Sequence, residues 1–183
     1  YLRAIRTTFV FALVSVPGIS VVALGLALIL AQKLKAINVF RSIYFMPSVM
    51  PMVAISLTWF YVLRPDTGPL AGLLALVGIE SPRWLGDVRW ALPALILINI
   101  WFNFGAQMVI YLAGIKGIPQ ELYEVAQIDG AGQWAKFRHV TLPMLSPTVF
   151  LNLVLGIIGA MQVFDIPYVM TRGGPNDSTR TYM

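Results

Sequence analysis

Four uncharged runs fix what this chain can fold into. Thr7–Gln32, Ser42–Leu63, Ala91–Ile115 and Met144–Phe164 contain no Asp, Glu, Lys or Arg. In hydrocarbon every backbone N–H and C=O must be satisfied within the protein, so a spanning segment is a helix of roughly 20 apolar residues. Each run reaches that length. Composition agrees: 58% of the 183 residues are hydrophobic and 11% charged, where a soluble chain carries about 25% charged residues. The expectation is an all-α, polytopic membrane protein with four transmembrane helices, at about 8–31, 42–63, 91–115 and 144–165. The first residue is Tyr1 and the end is a polar tail, so a fragment of a longer chain is expected.

The formal charge of +5 fits loops held near anionic headgroups of membrane lipid. No basic run is interleaved with aromatics, and nucleic acid is not expected as a partner. Cysteine is absent, which excludes a disulfide scaffold, a thiolate metal site and a cysteine nucleophile.

The runs differ in detail. The first contains Pro17-Gly18, tolerable in a membrane helix where neighbours re-satisfy the freed carbonyl. It also repeats Ala23, Ala27 and Ala31, which is either a stripe for close helix approach or chance in an Ala-rich helix. Lys33, Lys35 and Arg41 form a short basic loop. In the second run Pro47 and Pro51 lie one turn apart and predict a kinked or partly unwound entry. Between the second and third runs the chain mixes charges of both signs with turn signals. Leu70–Ile79 there is too short to span and reads as interfacial or re-entrant, with Trp84 and Trp90 at headgroup depth.

The third run carries Asn99, Asn103 and Gln107 at i, i+4 and i+8, one face of a helix that Tyr111 extends. Amides in hydrocarbon need partners. Two readings stand: they bond helix to helix, or they line a pathway together with Asn152 of the fourth run. Trp101 lies away from that face. The Lys and Arg count does not orient the chain, since six fall on one side of the four spans and seven on the other.

Polar chemistry concentrates between the third and fourth runs, in PQELYEVAQIDGAGQWAKFRHVTLP from Pro119 to Pro143. Pro119 and Glu121 suit the first turn of a helix, and Leu122, Val125 and Ala126 make its apolar face. Asp129-Gly130 ends it, because glycine adopts the left-handed conformation that closes helices. A second short helix is expected over Gln133–Val140, with Trp134 and Phe137 on one side. The lone His139 reads as a loop residue near the membrane, not a ligand.

The run Glu124-Val125-Ala126-Gln127-Ile128-Asp129-Gly130-Ala131, closed by Leu142-Pro143, resembles the signature cytoplasmic loop of permeases from ATP-binding-cassette importers. Val125 departs from it, standing where Ala is usual. The segments Ile118–Glu124, Val140–Pro143, Phe164-Asp165 and Gly173-Gly174-Pro175, with Trp84-Leu85 ahead of Ala91-Leu92-Pro93, are similar to the maltose and glycerol-3-phosphate type of sugar permease. The resemblance covers nearly the whole chain. It implies a permease domain of six or more helices in a bacterial or archaeal cytoplasmic membrane, with 116–142 as a cytoplasmic coupling loop. It implies a role for Glu124, Val125, Ala126, Asp129, Gly130, Ala131, Leu142 and Pro143 in docking an ATPase dimer. A second permease subunit and an extracytoplasmic solute-binding protein are implied too. No cofactor is expected in this chain: no phosphate-binding GxxxxGK[ST] loop is present, so ATP and magnesium would be held by the ATPase.

The rival class is a secondary transporter or channel, which usually places an acid or base within a span. None of the four runs has one, since Asp165 lies at an edge. No paired acids, metal-ligand cluster or serine nucleophile motif supports an enzyme.

Overall fold

The computed structural model describes residues 2–32 and 37–182, and every regular element among them is helical. Helix α1 (Leu2–Leu30) runs unbroken through Pro17. Helix α5 (Val88–Lys116) packs along it. Each is long and apolar enough to cross a membrane by itself. Asp87 caps α5, its carboxylate accepting the Arg89 N–H at 2.9 Å, which satisfies one of the donors left free at a helix start.

Two further units are bent. Helix α2 (Ile37–Phe45) passes through a 3-10 turn, Met46–Val49, into α3 (Met52–Val62), and the axis turns by 96° at the break. The expected kink is therefore there, with Pro47 inside the tight turn and Pro51 capping α3. The second unit runs from α7 (Gln133–Lys136) through a π-turn, Phe137–Thr141, and α8 (Leu142–Met144). It then bends by 63° into α9 (Ser146–Met161). Two membrane helices are thus continuous, and there are up to four if each bent unit is one span.

Two expectations need correction. Arg41 sits on α2 rather than in a loop, while Lys33 and Lys35 lie outside the described residues. The last apolar helix ends at Met161, short of 165. After it comes a further helix, α10 (Asp165–Thr171), that the sequence did not announce. Its Ile166, Pro167 and Met170 are buried, and it packs against α3. That packing supplies what seven residues cannot supply alone, because isolated short helices are marginal. Beyond it, Thr179 is buried and its hydroxyl meets that of Thr171 at 2.6 Å, while the Tyr182 N–H donates to Thr8 Oγ1 on α1 at 3.0 Å. The charge-mixed segment carries one short exposed helix, α4 (Pro69–Leu76), and Trp84 and Trp90 meet edge to face at 5.4 Å.

The buried residues form two clusters along the α1–α5 seam. One joins Phe11 and Val16 of α1 to Leu95 and Ile98 of α5, with Ala160 and Ile166 closing it. The other sets Ala23, Ala27 and Leu30 against Met108, Tyr111 and Leu112. Ala23 and Ala27 are fully buried there, so the alanine stripe is a packing seam, as small residues allow. Phe9, Leu13 and Val21 of α1 and Phe150, Leu151 and Ile157 of α9 face outward. An apolar outer surface on an apolar core suits lipid as the solvent.

Candidate functional site

The loop between α5 and α9 is built on local rules. Helix α6 (Gln120–Ile128) begins after Pro119, with Glu121 in its first turn, where a carboxylate meets the positive end of the helix dipole. At the other end Gly130 has φ +78. Its N–H donates to the Gln127 carbonyl at 3.1 Å, and the Ala131 N–H reaches back to the Ala126 carbonyl at 2.9 Å. This paired closure satisfies two carbonyls at the helix end. It also gives Ala126, Gly130 and Ala131 one shared geometric task. Asp129 stands at the cap itself.

Glu124 is exposed and is held by the Gln120 side-chain amide at 3.0 Å. Leu122, Val125, Ile128 and Trp134 are exposed apolar side chains on the same projection, Ile128 at 85%. The two halves of the loop are tied together: Lys136 Nζ donates to Gln127 Oε1 at 3.2 Å, and the Tyr123 and Thr141 hydroxyls meet at 3.0 Å. Trp134 and Phe137 share a side, their rings 5.5 Å apart. The expected second helix is longer than read from sequence, because Gln133–Met144 is continuous through the π-turn. Pro143 accounts for the widening. It has no N–H to offer the His139 carbonyl and its ring crowds that carbonyl, so the turn opens and the Leu142 N–H bonds Phe137 O instead. Leu142 and Pro143 are exposed.

The second feature is a cavity of about 430 Å³ between α1, α5, α9 and the start of α10. Asn99, Asn103 and Gln107 line it from α5 and Asn152 from α9. Asn103 Nδ2 donates to both the carbonyl and Oδ1 of Asn99 at 2.9 Å. Gln107 is more weakly held, with Nε2 at 3.4 Å from the Asn152 carbonyl and Oε1 at 3.5 Å from Ser20 Oγ. The Asn152 side chain is fully buried, and neither of its amide atoms has a hydrogen-bond partner among the described residues. An unmet buried amide costs roughly 1–3 kcal/mol. The two readings of the amides thus coexist: Asn103 and Gln107 make internal bonds, and all four residues line one cavity, with the Asn152 amide itself closed off behind the wall.

Tyr111 does not join them. It lies outside the cavity, 1% exposed, in the seam with Ala23 and Ala27. Trp101 is off the stripe, edge to face with Trp59 at 5.4 Å. Sequence reasoning missed Ser20, Gln162 and Phe164 as neighbours of the amides, and noted Asp165 only as a residue at the edge of the last span. A lone acid ending an apolar run was the available signal.

Similarity to known proteins follows the same lines. The chain is 37% identical over 176 residues to the trehalose/maltose transport system permease protein MalF of Thermococcus litoralis, covering 94% of this chain and 60% of that protein. It is 36% identical over 184 residues to the lactose transport system permease protein LacF of Rhizobium radiobacter, covering 98% and 61%. It is 35% identical over 174 residues to the sulfoquinovosyl glycerol transport system permease protein SmoG of Agrobacterium fabrum, covering 95% and 56%. The chain therefore spans about 60% of the length of these curated relatives. Among solved structures it superposes with TM-score 0.87 and 27% identity on a chain of a bacterial alginate transporter, described in complex with an alginate pentasaccharide-bound periplasmic protein, covering 98% of this chain and 63% of that one. The family described as binding-protein-dependent transport system inner membrane component matches residues 2–181. The chain is a multi-pass protein of the cytoplasmic membrane and belongs to that family.

Proposed function

We propose that this chain is the permease part of an ATP-driven importer that moves a sugar or sugar-like solute into the cell. The observation that carries the reading is the projecting loop. It is a closed helix, a left-handed glycine and a second helix that continues toward α9, with Val125, Ile128 and Trp134 exposed. Apolar side chains grouped on one exposed projection mark an interaction surface. The occupant is an ATPase dimer in the cytoplasm. Glu124 offers it a charge, Ala126, Gly130 and Ala131 allow close approach, and Asp129 completes the turn. Val125 fills part of the socket that alanine usually meets, and Leu142-Pro143 carries movement of the loop into the span.

In this reading the protein crosses the membrane four times within these residues and further outside them. A second permease completes the pore and a solute-binding protein delivers cargo from outside. The chain performs no hydrolysis; ATP and magnesium stay on the partner. Asn99, Asn103, Gln107 and Asn152 line the solute's route, and Tyr111 supports it from the seam behind. The relatives named for trehalose/maltose, lactose and sulfoquinovosyl glycerol support carbohydrate as the substrate class.

The test is reconstitution of the full-length permease with its second permease, ATPase and binding protein in vesicles. Uptake of labelled maltose, trehalose or lactose should require ATP inside the ATPase compartment. Uptake that follows an ion gradient and ignores ATP overturns the reading.

A further inference from the structure

The projecting loop has a second face, turned toward the membrane helices. At about 100° per residue along α6, Gln120, Tyr123 and Gln127 fall on one side and Val125 on the opposite one. The Val125 side is the one offered to the ATPase. On the other, Gln120 and Tyr123 close a pocket of about 520 Å³ against the ends of the two continuous membrane helices. Leu28, Ala31 and Gln32 contribute from the end of α1, and Ile115 and Lys116 from the end of α5. Both helices have membrane-spanning length and hydropathy, so a pocket at their ends stands at headgroup depth.

The lining divides by chemistry. Ile118 and Phe137 extend the apolar wall, while Lys116 and Lys136 bring two ammonium groups beside the carboxamides of Gln32, Gln120 and Gln133. No Asp or Glu is among the described residues that line it. Glu124 stands outside it and accepts from the Gln120 amide at 3.0 Å. Lys116 occupies the last turn of α5, where a cation also suits the negative end of the helix dipole. Lys136 is half-buried, with Nζ donating to Gln127 Oε1 at 3.2 Å. An ammonium has three donors, and this bond takes one.

Two cations, three amides and no acid favour an anion rich in oxygen acceptors. Carboxamides can donate to phosphate and ester oxygens and accept from hydroxyls. Basic pockets between membrane helices at the cytoplasmic surface take anionic lipid headgroups in this way. We propose that the pocket binds a phosphate group of net negative charge and thereby fastens the membrane side of the loop to the ends of α1 and α5. An anionic phospholipid of the adjoining leaflet and a soluble phosphate share this chemistry. The inference goes beyond the sugar-permease reading and does not depend on the solute moved, so either can fail alone.

The test uses the full-length permease assembled with its second permease and ATPase in nanodiscs of phosphatidylcholine, whose trimethylammonium cancels the phosphate charge. Phosphatidylglycerol is then titrated into the discs, and hydrogen exchange of the segment 133–141 is read by mass spectrometry. A second arm adds inorganic phosphate to the phosphatidylcholine discs, against chloride at the same ionic strength. Slower exchange in either arm supports the site, and the arm that protects identifies the source. Lys116→Gln and Lys136→Gln should each weaken that binding about fivefold. Arg138→Gln removes a charge from the same loop outside the pocket and should leave the binding unchanged. Protection in the unaltered protein needs no variant to fold. Absence of protection by both the lipid and phosphate overturns the proposal, as does an Arg138→Gln loss equal to that of the two lysine variants. ATP-driven uptake of the sugars named above would stand in both cases.

Discussion

The hydroxyls of Tyr123 and Thr141 meet at 3.0 Å, joining the first helix of the projecting loop to the widened turn that leads into α9. The contact is partly buried and spans 18 residues of sequence. It makes α6 and the entry to the last span move as one piece.

Tyr123→Phe removes that contact and keeps the ring. A hydrogen bond of this kind contributes about 0.5–1.5 kcal/mol. Uptake per ATP hydrolysed should fall between about two- and tenfold, with the hydrolysis rate itself little changed. An unaltered ratio of solute moved to ATP consumed in proteoliposomes would show that the two helices need no such tie.

Gly130 separates conformation from close approach. A Cβ there meets nothing within 4 Å in this chain, yet φ is +78. Gly130→Leu adds strain of about 1–2 kcal/mol as well as bulk. Gly130→Asn adds bulk in a residue that tolerates the left-handed region. Both variants should uncouple ATP turnover from uptake, and only the leucine variant should lose thermal stability. Uptake at the original level in the asparagine variant removes Gly130 from the docking surface.

Asn103→Leu tests the pathway. The Asn103 amide bonds within its own helix, so α5 should persist and the complex should assemble. Uptake should fall by about three- to tenfold through loss of a polar contact with solute. Normal sugar kinetics with normal assembly on size exclusion would reduce Asn103 to a helix-internal bond.

Gly105 holds the tightest helix approach. A Cβ there would collide with the Tyr44 carbonyl oxygen and lie 3.1 Å from Phe45 Cα, backbone that cannot rotate away. Gly105→Ala should destabilise the folded protein by about 1–3 kcal/mol. Gly25→Ala, with open space around it, should be neutral or gain up to about 1 kcal/mol from helix propensity. Thermal unfolding in detergent compares the two, and an equal midpoint for both variants would contradict the close approach.

Hydropathy alone located α1 and α5, because a helix that must be apolar over its whole length announces itself. The bend near Pro51 and the closure at Gly130 were legible for the same kind of reason: each is imposed by a residue with restricted or special backbone chemistry. Helix α10 was not, since Ile166 and Met170 earn their helix through burial against α3, a contact distant in sequence. Its start signals, Asp165 followed by Pro167, were present and unread. The amide stripe was readable as a face, but Tyr111 shared that face by periodicity and not by position. What lies opposite a helix decides whether a side chain meets a cavity or a neighbour, and periodicity does not contain that.

The π-turn at Phe137–Thr141 also sets a compass heading. A helix advances about 100° per residue, so one additional residue in a turn swings the segment before it by that angle relative to an uninterrupted helix. Two permeases with identical loop letters therefore aim them differently if only one has the wide turn. A loop transplanted between relatives will face its new ATPase only when Pro143 and the five residues of the turn travel with it.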